Sequence, residues 1–141
     1  MKIAIYGYGN LGRGVECATK YHPDAVLVGI FTRRPPESVK TVLDVPVYPA
    51  ERVFDFEGEI DVLIICGGSA TDLPKMTPML AEHFNVIDSF DTHAKIPSHF
   101  DAVDKAAKES GHVALISAGW DPGLFSIARL YASSVLPEGS D

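Results

Sequence analysis

With 141 residues, 46% of them hydrophobic and 22% charged, the chain has enough apolar content for one globular core and too much for a disordered segment. A formal net charge of −7 and an isoelectric point near 5.1 exclude a broad nucleic-acid surface, which needs clustered Lys and Arg to displace counterions. No apolar run reaches the roughly 18 residues of a membrane span, and Met1 leads into a strand pattern rather than a signal peptide, so a cytoplasmic location is expected.

In chain order, the apolar run at 2–6 is a strand and is followed by Gly7-Tyr8-Gly9-Asn10-Leu11-Gly12, a G-x-G-x-x-G turn, and then by a helical pattern to about Tyr21. Gly7 permits the tight turn, Gly9 lets the backbone approach a pyrophosphate, and Gly12 lets the helix pack close to the strand. The helix N-terminus then faces the phosphates with free N–H groups. The alternative, a merely glycine-rich turn, lacks a reason for the strand before it and the helix after it. Leu11, Val15 and Ala18 mark the apolar stripe of that helix, and His22-Pro23-Asp24 stops it.

Residues 25–31 read as a strand covered on both faces. At its end, where an NAD site carries a carboxylate for the ribose 2′-hydroxyl, stand Thr32, Arg33 and Arg34. Guanidinium groups there favour NADP over NAD, because they bind a 2′-phosphate through charge-assisted hydrogen bonds that a carboxylate would oppose. The plain alternative is two solvated arginines. Pro35-Pro36 breaks the chain, and 37–58 is an irregular crossover with a short β signal at 45–48.

Residues 61–66 form the next buried strand and run into Gly67-Gly68-Ser69-Ala70-Thr71-Asp72 and a helix over about 73–83. Small residues at that strand end should border the ribose and nicotinamide half of a dinucleotide, unless they are an ordinary capped βα loop. Residues 85–88 are a short strand, 97–110 a helix closed by Gly111, 113–116 the last strand, and 124–136 a final helix. Strands alternating with helices define an α/β fold, Rossmann-type and doubly wound, with a mainly parallel sheet and helices on both faces. Cys17 and Cys66 lack a C-x-x-C spacing and read as buried free thiols.

Asp91 and Asp121 lie just past successive strand ends, on the same rim as the glycine turn if the sheet is parallel. Carboxylates there can bind an ammonium group or position a reacting amine. Alternatively, Asp91 fixes its own loop through Thr92 and His93, and Asp121 with Pro122 caps the last helix. Trp120 is a substrate wall or a core aromatic. His93 and His99 carry no metal-ligand spacing, and no metal is expected.

Together, the glycine turn at 7–12, Thr32-Arg33-Arg34, the 66–72 segment, Asp88-Ser89-Phe90-Asp91-Thr92-His93 and Gly119-Trp120-Asp121-Pro122-Gly123 resemble the meso-diaminopimelate dehydrogenase family over essentially the whole chain. The resemblance implies an NADP-dependent enzyme that reversibly deaminates the D-centre of meso-2,6-diaminopimelate to L-2-amino-6-oxopimelate and ammonia. It implies cofactor contacts from Gly9, Asn10, Leu11, Thr32, Arg33, Arg34, Ser69, Ala70 and Thr71, added to the turn glycines Gly7 and Gly12. It also implies a substrate site at Phe90, Asp91, Trp120 and Asp121, with the two aspartates nearest the reacting amine, and a homodimer of the complete protein. Members of that family continue into a substrate-binding and dimerisation domain.

The expectation is therefore an NADP-binding domain over 1–118 and, over 119–141, a loop and helix leading into a domain absent from this chain. The final helix carries Leu124, Phe125, Ile127, Ala128, Leu130, Tyr131 and Val135 around most of its circumference and should need cover on more than one face. The alternatives are another NADP-dependent oxidoreductase, such as a dihydrodipicolinate reductase, or a dinucleotide-binding module without catalysis.

Overall fold

The structure is a computed structural model that describes residues 1–136; positions 137–141, the end of the expected 119–141 segment, lie outside the described residues. The elements are β1 (Lys2–Tyr6), α1 (Asn10–Thr19), β2 (Val26–Thr32), β3 (Val47–Pro49), β4 (Val62–Ile65), α2 (Leu73–Ala81), β5 (Val86–Asp88), α3 (Ile96–Ser110), β6 (Ala114–Leu115) and α4 (Leu124–Val135). They form a six-stranded sheet in the order β3-β2-β1-β4-β5-β6, with every neighbouring pair parallel. The chain starts in the middle, winds to one edge, returns across β1 and winds to the other. That reversal is the arrangement of a Rossmann-type fold. The 45–48 signal becomes β3, and the crossovers around it are 3₁₀ turns, Pro36–Ser38 and Ala50–Phe56.

Alternation along the strands divides the core in two. Ala4, Tyr6, Leu63, Ile65 and Val86 face one side, where Leu73 and Leu80 of α2 and Val103, Ala106 and Ala107 of α3 cover them. Ile5 and Ile30 face the other side with Tyr8, against Val15 of α1 and Val39, Val45 and Val47 of the crossover. Gly111 ends α3 with φ +76°, a left-handed cap.

Two expectations are corrected. The inward side of α1 is not the Leu11–Val15–Ala18 stripe: Leu11 is 45% exposed and Ala18 is exposed, while Gly12 and Glu16 are buried. The cause lies at Gly12, where a Cβ would stand 2.4 Å from the Gly7 carbonyl oxygen and 3.4 Å from Ile5 Cγ2. The helix is pressed onto the turn at that point, so the residue one turn later, Glu16, must also face inward. Its carboxylate accepts the Tyr8 hydroxyl and the N–H groups of Val42 (2.9 Å) and Leu43 (2.8 Å), which ties the crossover to the helix. Cys17, next along the helix, is turned outward and exposed rather than buried, and Cys66 is half-buried.

Among the described residues, the second sheet face is covered over β1 and β2. Beyond them, Val62, Ile64 and Ile87 are half-buried and line a hollow of about 430 Å³, and Leu115 is 55% exposed. α4 buries none of its residues. Among the described residues no helix is long and apolar enough to cross a membrane.

Candidate functional site

Because the strands are all parallel, their carboxyl ends share one edge, and the residues singled out above lie in the loops along it. Gly7 turns the chain off β1 with φ +95°, a conformation that favours glycine, and its N–H donates to the Phe31 carbonyl at 2.8 Å. A Cβ on Gly7 would come within 2.8 Å of the Cys66 carbonyl oxygen, whereas a Cβ on Gly9 would meet nothing within 4 Å. The first glycine is needed for the turn; the second leaves open room in front of Asn10 and Leu11, the first residues of α1.

That room is a cavity of about 330 Å³ lined by Gly7, Gly9, Thr32, Arg33, Gly67 and Asp72 among others. A second hollow of about 340 Å³ adjoins it, lined by Gly9, Asn10, Arg13, Arg34, Ser38 and Lys40. Arg34 borders both and donates through Nη2 to the Tyr8 carbonyl. Three cations around the start of a helix make this hollow suited to an anion. The sequence reading missed Arg13 and Lys40; a basic residue directly after the last glycine is the only local signal for either. Thr32 is buried, and its Oγ1 accepts the Arg34 N–H at 3.2 Å, which shapes the two-arginine corner.

On the far side of the cavity, Arg33 donates from Nη1 and Nη2 to the two carboxylate oxygens of Asp72, at 3.2 and 2.8 Å. These charge-assisted bonds and the Gly68 N–H hold the Asp72 carboxyl below its ordinary range. Asp72 did not emerge from the sequence as a partner of Arg33, 39 positions away.

The edge continues through the loops after β4, β5 and β6. Ser69 Oγ accepts the Asp91 N–H at 2.8 Å and lies 3.5 Å from Thr92 Oγ1, so the 69–71 and 90–92 segments meet. His93 Nε2 lies 3.3 Å from Asp121 Oδ1, so the next two loops meet as well. Asp121 is also gripped by Arg129, whose Nη1 and Nη2 donate at 2.8 and 2.6 Å; Arg129 first, and then His93, keep its carboxyl below the usual range. The N-cap of α4 is Gly123 rather than Asp121. Trp120 is 68% exposed and stacks on Phe125, with ring centroids 6.0 Å apart, so it is not a core aromatic. Phe90 is 1% exposed and stacks on His99, while Asp91 is exposed. The two histidines part: His93 goes to Asp121 and His99 to Asp88, and among the described residues no group of three potential metal ligands gathers.

Asp88, at the end of β5, is the buried organiser of this half. Its Oδ2 accepts Thr77 Oγ1 and His99 Nε2, both at 2.7 Å, and its Oδ1 accepts the N–H groups of Phe90 (3.1 Å) and Ser117 (2.8 Å). One carboxylate thus fixes α2, α3 and the two loops that carry Asp91 and Asp121.

No family model matches the sequence. A meso-diaminopimelate D-dehydrogenase from Ureibacillus thermosphaericus is 56% identical over 140 residues, which are 99% of this chain and 43% of that protein. Among solved structures, an engineered D-amino acid dehydrogenase bound to NADP+ superposes with a TM-score of 0.85 at 46% identity, over 98% of this chain and 42% of that one. The Corynebacterium glutamicum diaminopimelate dehydrogenase in complex with diaminopimelate superposes with a TM-score of 0.83 at 45% identity, again over 98% and 42%. Over nearly its whole length, then, this chain is similar in sequence and in fold to the meso-diaminopimelate dehydrogenases, of whose length it spans about 43%.

Proposed function

We propose that this chain provides the NADP-binding part and the reacting-amine corner of an NADP-dependent dehydrogenase acting on the D-centre of meso-2,6-diaminopimelate, in lysine and diaminopimelate metabolism. The reading rests above all on the series of loop-to-loop contacts along one sheet edge, Arg34–Tyr8, Arg33–Asp72, Ser69–Asp91 and His93–Asp121. The relatives named above act on, or are solved with, a dinucleotide or a diamino-acid substrate.

The residues fit the cofactor. The open space at Gly9 admits a pyrophosphate, and the first N–H groups of α1, at Asn10 and Leu11, face it. Arg33 and Arg34 take the 2′-phosphate, with Thr32 behind them, and Ser69, Ala70 and Thr71 border the ribose and nicotinamide. When bound, NADP+ supplies the hydride acceptor that turns the amine-bearing carbon into an imine, which water hydrolyses to the 6-oxo product and ammonia.

Asp91 and Asp121 hold the substrate ammonium by charge and orient it toward the cofactor, and either accepts its proton through a water. Asp121 arrives ionised and already oriented by Arg129, so it serves as a fixed negative charge. Trp120 walls the site on its open side. Phe90 supports the Asp91 loop from beneath. We place the complete enzyme in the cytoplasm as a homodimer; the apolar, uncovered α4 supports a further contact surface there.

The test is NADPH formation by the full-length polypeptide carrying this sequence, with meso-, LL- and DD-diaminopimelate in parallel. Turnover of the meso isomer is expected, and its absence rejects the substrate. The isolated chain should bind NADP+ more tightly than NAD+, and equal affinities reject the assignment of Arg33 and Arg34.

A further inference from the structure

Arg33 and Arg34 are adjacent in sequence but unequal in the structure. Arg34 donates to a neutral carbonyl, that of Tyr8, whereas Arg33 is bound at both terminal nitrogens by the Asp72 carboxylate. The Arg33–Asp72 pair runs from the end of β2 to the loop after β4, and β1 lies between those strands. It therefore crosses in front of the Gly7 turn, and both residues line the same cavity of about 330 Å³. Asp72 is anchored apart from Arg33, since Oδ2 accepts the Gly68 N–H at 3.0 Å and its own N–H reaches the Gly68 carbonyl at 2.8 Å. The carboxylate is thus a fixed negative charge on the wall of the pocket.

We infer that Asp72 is a specificity-determining residue: it competes with the 2′-phosphate of the cofactor for Arg33 and so sets how strongly the site prefers a 2′-phosphorylated nucleotide over its 2′-hydroxyl counterpart. The inference deepens, and rests on, the assignment of the arginine corner to NADP. A dianionic phosphate must draw the guanidinium away from Asp72 to gain its full hydrogen bonds. A neutral 2′-hydroxyl does not meet that cost. Arg34 supplies the attraction that Asp72 does not touch, and Arg33 supplies the part that Asp72 moderates.

Asp72→Asn is the direct test, because the amide oxygen still accepts the Gly68 N–H while the charge is removed. The isolated chain, the variant, Arg33→Ala and the double variant would be titrated calorimetrically with 2′,5′-ADP and with 5′-AMP, after circular dichroism shows unchanged secondary structure. Asp72→Asn is expected to bind 2′,5′-ADP about three- to tenfold more tightly, as for releasing one guanidinium from a charged partner at a partly solvated site, with 5′-AMP changed less than about twofold. In the Arg33→Ala background the gain should vanish. No gain for 2′,5′-ADP, an equal change for both nucleotides, or a gain that persists without Arg33 overturns the inference. The two readings separate cleanly. A wild-type chain that fails to discriminate while Asp72→Asn does discriminate upholds the role of Asp72 and removes the NADP preference; discrimination by wild type that Asp72→Asn leaves unaltered does the reverse.

Discussion

Replacing Asp88 by Ala tests whether the two substrate-side loops are held by one buried carboxylate. Asp88 is 1% exposed and accepts four hydrogen bonds, two from side chains at 2.7 Å and two from backbone N–H groups at 2.8 and 3.1 Å. Truncation strands donors from Thr77, His99, Phe90 and Ser117 where little water reaches, at about 1–3 kcal/mol for each one that stays unsatisfied. The hydroxyl and the imidazole can turn to other partners more readily than backbone can, so the expected net loss is about 3–5 kcal/mol, below the sum of the four penalties. For a domain of this size that is a fall of roughly 10–20 °C in the unfolding midpoint. Asp88→Asn keeps an acceptor for the Phe90 and Ser117 N–H groups and presents an amide to the Thr77 hydroxyl and the His99 ring, so it should lose only about 1–2 kcal/mol. Urea and thermal unfolding, followed by circular dichroism, give both values. A loss below about 1 kcal/mol for Asp88→Ala would refute the claim that this side chain organises the 89–93 and 117–121 segments.

Arg34→Ala should weaken NADP+ binding by about 1.5–3 kcal/mol and leave NAD+ nearly unchanged, since it removes a charged hydrogen bond available only to the 2′-phosphate; equal losses in a fluorescence titration would count against the role. Gly12→Ala places a Cβ 2.4 Å from the Gly7 carbonyl oxygen, so the chain should lose nucleotide binding and about 2 kcal/mol or more of stability; a wild-type unfolding midpoint would contradict the close approach. At pH 8 a thiol reagent should label exposed Cys17 and spare Cys66, whose thiol is pushed up to about 12 by burial. The same shift has a sign for stability. The unfolded Cys66 loses its proton near pH 8.5 and the folded one only near 12, so the unfolded state binds fewer protons in between and stability should fall as pH rises across that window. Cys66→Ala should flatten that part of the profile.

The wound α/β fold, the glycine turn and the arginine corner were all legible from the chain because each is a local pattern. A β run, three glycines at fixed spacing and a second β run ending in Thr32-Arg33-Arg34 imply one another through short-range geometry. The apolar content of α4 was equally plain, and its exposure follows from having no covering element among the described residues. The same logic failed at α1. Periodicity nominated Leu11 and Ala18 for the inner face, but the contact of Gly12 with Gly7 rotated the helix and brought an acidic residue, Glu16, into the core.

What this sequence determined by itself is the list of strands, the parallel winding that gathers their ends on one edge, and the residue types waiting there. Only the tertiary structure decided how those residues pair. Asp72 answers Arg33 across 39 positions, Asp88 gathers Thr77, His99 and Ser117, and His93 reaches Asp121, 28 residues further along the chain. The physical reason is that a hydrogen bond or ion pair depends on distance in space to a few tenths of an ångström, and nothing in local spacing encodes which charged side chain, several strands away, will arrive within that distance.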